Sequence, residues 1–520
     1  MKRYLMYATL GLTLSSVHSQ DLNDALRYSQ TNIQGTARYR AMGGAFTALG
    51  GELSAISLNP ASSSVFYNSQ VGMSVGSKIT NSKANYFGTN NSSNESAFYV
   101  NQVGGVWVFN SNSEETSGKV TRFAVGLNYE NENKFNQSYA IKGMNNNASV
   151  ADYFLAQANG VSLNLLQTQA NETPNALYEY LGENYANGFQ YQNAFLGYET
   201  YVVNAHDNND PNNIAYYSNV PTGTYNQWNF VDQSGRNGKL SFNISAEFNR
   251  RFHIGVNLNS HMVNYTKTTI FTETNSNPEN VNGETVRSIT HSTDMITSGS
   301  GFSVQLGAIA RVTDGLRLGV SYQSPTWYYR LNDEFIQGIS TSRENNLNTQ
   351  GGLLNATFNP SKAQLFPEYS ITTPAKYNFG GAYVFGDRGL ISVDYTLTDY
   401  AAAKLRPTNN TYFALQNQVI KNTLNWAYEL RVGGEMIFNQ WSVRAGYNMQ
   451  QSPYKDKSIM GDLKQYNLGL GYNFGATKLD LSYSLYTRDF TYNNYNVGLV
   501  DKAQINQKNH AIFLTALFEL

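Results

Sequence analysis

From about Gln70 to the end of the chain, apolar and polar residues alternate over ten or more positions at a time. The run 424–438 shows this most clearly. Its apolar positions are Trp426, Tyr428, Leu430, Val432, Met436 and Phe438, and its polar positions are Asn425, Glu429, Arg431 and Glu435. Strict alternation indicates strands with one apolar and one polar face. Because these runs are longer than the strands of five or six residues that soluble sheets use, they predict tilted membrane strands.

The turns between these runs agree with the phase of the strands. Phe438 and Trp441 both lie on the apolar face and leave the two-residue turn Asn439-Gln440, a hairpin-type connection. Longer connections rich in Asn, Ser and Thr are predicted at 81–96, 133–236, 273–284, 337–368, 405–423, 453–462 and 493–507. Short turns that alternate with long loops predict an outer-membrane barrel with its turns in the periplasm and its loops outside.

Fourteen alternating runs can be counted within residues 69–520, an even number as in bacterial single-chain barrels. They are 70–80, 97–109, 119–132, 238–249, 252–272, 285–312, 316–336, 369–386, 389–404, 424–438, 441–452, 463–474, 477–492 and 508–520. The predicted fold is an all-β transmembrane barrel of about 14 antiparallel strands, with a large extracellular insertion at 133–236.

Composition excludes several other classes of protein. Charged residues make up 14% of the chain, aromatic residues make up 13%, and the mean hydropathy is -0.44. The lack of any apolar run of about 18 residues excludes a polytopic helical membrane protein, and the many aromatics argue against disorder. The absence of cysteine excludes disulfides, thiolate metal sites and a cysteine nucleophile. A net charge of -1 does not indicate nucleic-acid binding.

The N-terminus has the features of a secretory signal peptide. Lys2 and Arg3 precede an apolar stretch at 5–14, and small residues flank His18 at the expected cleavage site. We therefore predict that residues 1–19 are removed in an exported chain.

Residues 20–68 do not alternate and are rich in small residues and glycine pairs. They are too apolar for a free linker, so we expect them to form a hatch, or plug, inside the barrel. Here Arg38 is followed by Ala41, Met42, Gly43, Gly44, Ala45 and Phe46, and later by Leu58, Asn59, Pro60 and Ala61. This motif ahead of a barrel resembles the FadL/TodX family of outer-membrane transporters.

The resemblance implies a fourteen-stranded barrel in the outer membrane of a Gram-negative bacterium, plugged by an N-terminal hatch. It implies passive, hatch-gated uptake of hydrophobic small molecules such as long-chain fatty acids or aromatic compounds, and a sideways exit through the wall. The expected hatch motif comprises Met42, Gly43, Gly44, Phe46, Asn59, Pro60 and Ala61. The large insertion departs from the family pattern and leaves the substrate class open.

Two further groups of residues are candidates for a role in the wall. Gly126 and the pair Gly104-Gly105 on the neighbouring strand would weaken local packing and mark a candidate lateral gate. Four charged residues on the lumenal face are expected to brace the wall or to dock the hatch rather than to bind a ligand. They are Glu429, Arg431, Glu435 and Arg444.

Other chemistry finds little support in the sequence. His253 and His261 are about 26 Å apart along one strand and cannot chelate one metal. The oxygen-rich loop 206–210 is more typical of a solvated loop than of a cation site. With no convincing Ser-His-Asp set or carboxylate pair, we predict a non-enzymatic protein without metal or cofactor.

Within the insertion, Ser149 is predicted to cap a helix that ends at Ala158, and a second helix is predicted to begin at Asn175. These helices form either an external lid that captures substrate or a plain surface subdomain. We expect the protein to be a monomer. Its expected partners are the lipid bilayer and a lipophilic small molecule. The alternative function is a barrel of the same fold that serves as a structural or secretion-associated partner-binding protein.

Overall fold

The computed structural model of the chain describes residues 21–111, 120–185, 187–280, 284–345 and 353–520. These residues form a closed antiparallel barrel in which successive strands pair with one another and the last strand pairs with the first. The barrel has fourteen strands, which confirms the predicted fold class. The predicted signal peptide lies outside the described residues.

The strands are β1 (Gln70–Tyr86), β2 (Thr89–Asn110), β3 (Val120–Lys134, continued as Gln137–Asn145), β4 (Tyr225–Phe248), β5 (Phe252–Thr274), β6 (Glu284–Arg311), β7 (Leu316–Gln323, continued as Trp327–Asn345), β8 (Tyr369–Thr372, continued as Lys376–Val384), β9 (Gly389–Asp399), β10 (Trp426–Phe438), β11 (Trp441–Gln450), β12 (Leu463–Asn473), β13 (Thr477–Tyr492) and β14 (Ala503–Glu519). Short strands at Leu353–Phe358, Gln364–Leu365 and Lys404–Arg406 extend the same sheet, and Val203–Ala205 pairs separately with Tyr216–Ser218.

The helices are α1 (Leu22–Ser29), α2 (Ala37–Ala41), α3 (Val150–Ala158), α4 (Pro174–Asn184), α5 (Gly188–Glu199) and α6 (Thr411–Thr423). Single turns of 3-10 helix lie at Ser54–Ser57, Pro60–Val65, Leu163–Leu165 and Tyr400–Ala402. None of the helices in the described part of the chain has the length and apolarity that a membrane span requires.

The observed ladders agree with the predicted phase of the strands. Glu435 pairs with Arg444 across the Asn439-Gln440 turn, and both side chains are buried in the lumen. On β12 the side chain of Leu468 is 61% exposed, whereas that of its neighbour Asn467 is 2% exposed. Apolar residues therefore face lipid and polar residues face the interior.

Several strands extend beyond their predicted ends on the external side. The β1–β2 ladder continues to the pair Tyr86 and Thr89, so most of the predicted loop 81–96 is strand. The ladder between β3 and β4 likewise continues to Asn145 and Tyr225. The insertion therefore spans 146–224 rather than 133–236. Above the bilayer both faces of a strand meet polar surroundings, so the apolar alternation that predicts strands disappears there.

The insertion folds as a compact subdomain against the external part of several strands, and we call it the lid for its position alone. Helices α3, α4 and α5 pack around fully buried side chains such as Phe154, Leu181 and Phe195. Ser149 caps α3 as predicted, and α4 begins at Pro174 after its cap Thr173, one residue before the predicted start. Helix α5 was not predicted, because residues 192–197 are all buried and leave no one-sided apolar stripe.

Replacing Leu468 with Arg is expected to lower the free energy of unfolding by about 2–4 kcal/mol, because the residue lies midway along a lipid-facing strand. Replacing Asn467 with Ala removes one lumenal hydrogen bond to Gln465 and is expected to cost only about 1 kcal/mol. Reversible folding titrations into lipid vesicles measure both values. Equal losses would contradict the assigned faces of β12.

Candidate functional site: the hatch and the wall around it

The segment from Asp21 to Ser69 lies inside the barrel and closes its lumen. Its motif residues Met42, Phe46 and Asn59 are completely buried. The segment packs against the inner face of the wall on several sides, with α2 against β12 and β13 and the Pro60–Val65 turn against β4 and β5. The geometry therefore places the predicted hatch where a plug must lie.

Several residues of the hatch motif have a local physical role. Gly43 and Gly44 adopt φ values of +63° and +74°, a left-handed conformation that glycine adopts without strain. Asn59 caps the turn that begins at Pro60 by accepting a hydrogen bond from the backbone N–H of Ala61. The same side chain donates to the carbonyl of Thr47, at 2.7 Å. Asn59 therefore ties the two ends of the motif together.

The wall presents inward-facing glycines where the backbone of the hatch approaches it. A Cβ atom at Gly433 would overlap the Met42 carbonyl oxygen, and one at Gly446 would overlap the backbone of Met42 and Gly43. We call this set of seven residues, which lies on β5 to β8 and β10 to β12, the glycine seat: Gly255, Gly307, Gly319, Gly380, Gly433, Gly446 and Gly469. Sequence analysis missed these residues, although glycine at inward positions of long strands is a recognisable signal of close backbone approach.

Polar side chains of the wall satisfy the irregular backbone of the hatch. Asp394 accepts hydrogen bonds from the backbone N–H and the hydroxyl of Thr47, at 2.8 and 2.7 Å. Asn257 donates to the carbonyl of Ile56 and Gln305 donates to that of Leu58, both at 2.8 Å. These contacts replace the hydrogen bonds that regular secondary structure would supply.

The predicted lumenal charges fall into two pairs with different neighbours. Glu435 accepts a bidentate pair of hydrogen bonds from Arg38 of the hatch, at 2.8 and 2.9 Å, and also bonds to Arg444. Glu429 instead pairs with Arg431 on its own strand. The first pair docks the hatch and the second braces the wall beside a lumenal cavity.

The hatch also carries a buried carboxyl group of its own. Glu52 accepts hydrogen bonds from the Thr36 hydroxyl and the backbone N–H of Ser54. Burial raises the pKa of the Glu52 carboxyl above its usual value. These internal bonds join the start of the hatch to its middle.

A cavity of about 580 Å³ lies on the external side of the hatch. Its apolar wall includes Phe135, Tyr139, Tyr265, Met295, Phe335, Ile459 and Phe490. Six basic residues also line it, namely Arg27, Lys78, Lys134, Lys267, Arg488 and Lys502, against the two acidic residues Asp21 and Asp24. A smaller polar cavity of about 100 Å³ follows, between the hatch segment Gln30 to Gln34 and the wall.

The wall has a discontinuity between β2 and β3. Their backbone ladder ends at the pair Gln102 and Glu130, and the amide of Asn131 donates instead to the carbonyl of Val100, at 2.9 Å. Beyond this point an outer depression of about 410 Å³ opens beside Tyr99 and Lys134. Lys134 lines both this depression and the large internal cavity, so the wall is very thin there.

The predicted gate glycines lie below this discontinuity. Gly104 and Gly105 lie within the intact β2–β3 ladder. A Cβ at Gly126 would contact Asn243 on β4 and Ile56 of the hatch. An apolar groove of about 550 Å³ runs along the lipid face beside Gly105. The β2–β3 ladder therefore ends on the external side of the predicted gate glycines, and their role as a gate stays a prediction.

The histidines lie apart, as expected from their spacing. His253 contacts the Ser64 hydroxyl at 3.0 Å, whereas His261 lies between Glu132 and Ser303. Within the described residues, no group of three or more potential metal ligands is found. In the loop 206–210, Asp207 accepts a hydrogen bond from the backbone N–H of Asn209, and Asp210 accepts one from the backbone N–H of Asn212.

Comparison with known proteins agrees with this architecture. Residues 209–519 match a family described as outer membrane protein transport protein (OMPP1/FadL/TodX). The chain belongs to this family. Residues 7–175 also match a family described as uncharacterised (UPF0164). No curated protein matches the chain.

Solved structures similar to this FadL/TodX-family protein include a Pseudomonas aeruginosa FadL homologue and the P. putida toluene transporter TodX. Each is 13% identical, with a TM-score of 0.49, and each match covers 94% of this chain and 99% of the other. The Ralstonia pickettii toluene transporter TbuX is 13% identical with a TM-score of 0.46 and the same coverage.

Replacing Gly433 with Val is expected to displace the hatch of this FadL/TodX-family protein, because the new side chain would occupy the position of the Met42 carbonyl. Small polar solutes should then leak through the barrel, as measured by swelling of protein-containing liposomes. The adjacent Gly434 provides a matched control, because a Cβ there would approach only the Leu390 carbonyl at 3.7 Å. Equal permeability of the two variants would contradict the glycine seat.

Proposed function

We propose that this protein takes up hydrophobic small molecules passively across the outer membrane of a Gram-negative bacterium, with the hatch as its gate and without catalysis. The observation that carries the proposal is the position of the large cavity directly external to a hatch that closes the lumen. A molecule held in this cavity contacts α1 of the hatch through Leu26 and Arg27. Passage therefore requires the hatch to shift.

The lining of the cavity favours an amphiphile with an anionic group, such as a long-chain fatty acid, over a neutral aromatic compound. Six basic residues against two acidic ones create a positive potential, and part of the remaining wall is aromatic or aliphatic. A carboxylate gains more from such cations in a partly desolvated cavity than in water. The volume of about 580 Å³ lies within the range of about 300–1,000 Å³ that small-molecule sites use.

The lid supplies a route into this cavity. Phe189 of α5 packs edge-on against Phe335, with ring centroids 5.4 Å apart, and lies 6.3 Å from Phe366. Phe335 also lines the cavity, so this aromatic cluster joins the underside of the lid to the lumen. We infer that the lid captures apolar molecules and passes them inward along these rings.

The hatch is also connected to the thin part of the wall. The amide of Asn101 on β2 donates to the carbonyl of Gly35, at 2.6 Å, next to the point where the β2–β3 ladder ends. A ligand that favours a shifted hatch would therefore break a contact at the wall as well. This supports a sideways exit between β2 and β3 toward the membrane. The alternative of a structural or secretion-associated barrel has no support from the comparisons.

The substrate proposal is tested by replacing Lys267 with Met and measuring binding to the purified full-length protein in detergent. The substitution removes one cation from the cavity but keeps most of the side-chain volume. Oleate should bind about tenfold more weakly, which corresponds to about 1.4 kcal/mol. Toluene, which carries no charge, should bind to the variant and the wild type equally.

Lys83 is a matched control, since it lies on β1 with its side chain exposed outside the barrel. Lys83→Met should leave the binding of both compounds unchanged. If oleate binding does not respond to Lys267→Met, or if only toluene binds the wild-type protein, then the preference for an anionic amphiphile is wrong. If neither compound binds, the transport proposal itself fails.

A further inference from the structure

The outer surface of strands β2, β3 and β4 carries two adjoining features that face the membrane. One is the depression beside Tyr99 and Lys134, about midway along these strands. The other is the apolar groove beside Gly105 and Trp107, lower on the same strands. Both features open outward, although Lys134 also lines the internal cavity.

The depression is basic. Lys134 and Arg236 are directly opposite each other in the β3–β4 ladder, and the Lys134 ammonium lies 4.7 Å from the centre of the Tyr99 ring. Arg236 is exposed, and its positive charge repels the Lys134 ammonium. Like charges directly opposite each other in a ladder destabilise the pair. An anion bound between the two cations would relieve this repulsion.

The groove is apolar. It runs beside Gly105 and is bordered by Val71, Met73, Val103, Trp107, Leu127 and Leu240. No charged side chain among the described residues lines the groove, so an ion or a strongly polar group would lose its hydration there without compensation. Hydrocarbon is the material that fits this surface.

The separation of the two features matches one leaflet of a bilayer. Gly105 lies six residues below Tyr99 on β2. At about 3.3 Å per residue and a strand tilt of about 40°, this corresponds to about 15 Å along the membrane normal. The hydrocarbon core is about 30 Å thick, so one leaflet contributes about 15 Å. The exposed Phe98, next to Tyr99, marks the upper end of the apolar band at the interface.

We propose that this face binds an outer-leaflet lipid with an anionic phosphate headgroup, held by Lys134 and Arg236, with an acyl chain in the groove beside Gly105. The bound lipid covers the outer mouth of the thin wall between β2 and β3. The inference does not depend on what the barrel transports, because Arg236 and the groove belong to the outer surface only.

Tryptophan fluorescence in lipid vesicles tests this proposal. The chain has five tryptophans, and Trp107 borders the groove. A full-length protein with Trp107 as its only tryptophan carries Trp228→Phe, Trp327→Phe, Trp426→Phe and Trp441→Phe. Its quenching is compared for phosphatidylglycerol and phosphatidylcholine, each brominated near the ends of its acyl chains. We expect about a tenfold preference for the anionic lipid, which weakens at high salt.

The control protein retains Trp441 alone, a lipid-facing tryptophan on β11, and should show no preference. Lys134→Gln combined with Arg236→Gln should abolish the preference at Trp107. The proposal would be overturned if the preference survives this double change. It would also be overturned if both lipids quench Trp107 equally in the protein that retains Lys134 and Arg236. Stronger quenching of Trp107 by brominated stearic acid than by phosphatidylglycerol would also overturn it, by assigning the site to a free fatty acid.

Discussion

The structure depends on one constraint, the need to satisfy the irregular backbone of the hatch within a closed lumen. A segment with little regular secondary structure carries many N–H and C=O groups, and each costs free energy if it is buried without a partner. The wall meets this requirement in two ways. Amide and carboxylate side chains such as Asn257, Gln305 and Asp394 bond to the hatch backbone, and the glycine seat lets the two backbones come close enough to pack.

This arrangement is compatible with the proposed shift of a well-packed hatch. Its contacts with the wall are hydrogen bonds and close backbone packing spread over many strands, together with one docking ion pair between Arg38 and Glu435. Near Pro60, hydroxyl and amide side chains of β4 hold a rigid turn, as in the 2.6 Å contact between Ser63 and Ser245. At the other end, Gly43 and Gly44 give the chain conformational freedom. The hatch is therefore expected to shift at its glycine end.

Much of this architecture could be predicted from the sequence, because a membrane strand must alternate. The phase of β10 to β12 and the Asn439-Gln440 turn follow directly from that requirement, as does the lumenal position of Glu435 and Arg444. The external ends of β1 to β4 could not be predicted, since alternation disappears outside lipid. The glycine seat was also missed, because which wall glycine meets which hatch residue depends on the path of the hatch through the lumen. The exact end of the β2–β3 ladder also escaped prediction, because it depends on a hydrogen bond from the Asn131 side chain to the carbonyl of Val100.

The central claim is that the hatch moves at its glycine end while its Pro60 end stays fixed, and paired cysteines test it directly. The natural chain has no cysteine, so a disulfide forms only where one is introduced. Thr47 and Asp394 hydrogen-bond at 2.7 Å at the glycine end, and Ser63 and Ser245 hydrogen-bond at 2.6 Å at the fixed end, so each pair joins a side chain of the hatch to one of the wall. Uptake of labelled oleate by cells should stop in oxidised Thr47→Cys/Asp394→Cys, recover on reduction, and continue in oxidised Ser63→Cys/Ser245→Cys. Undiminished uptake through the barrel bridged at Thr47 and Asp394 would contradict the account.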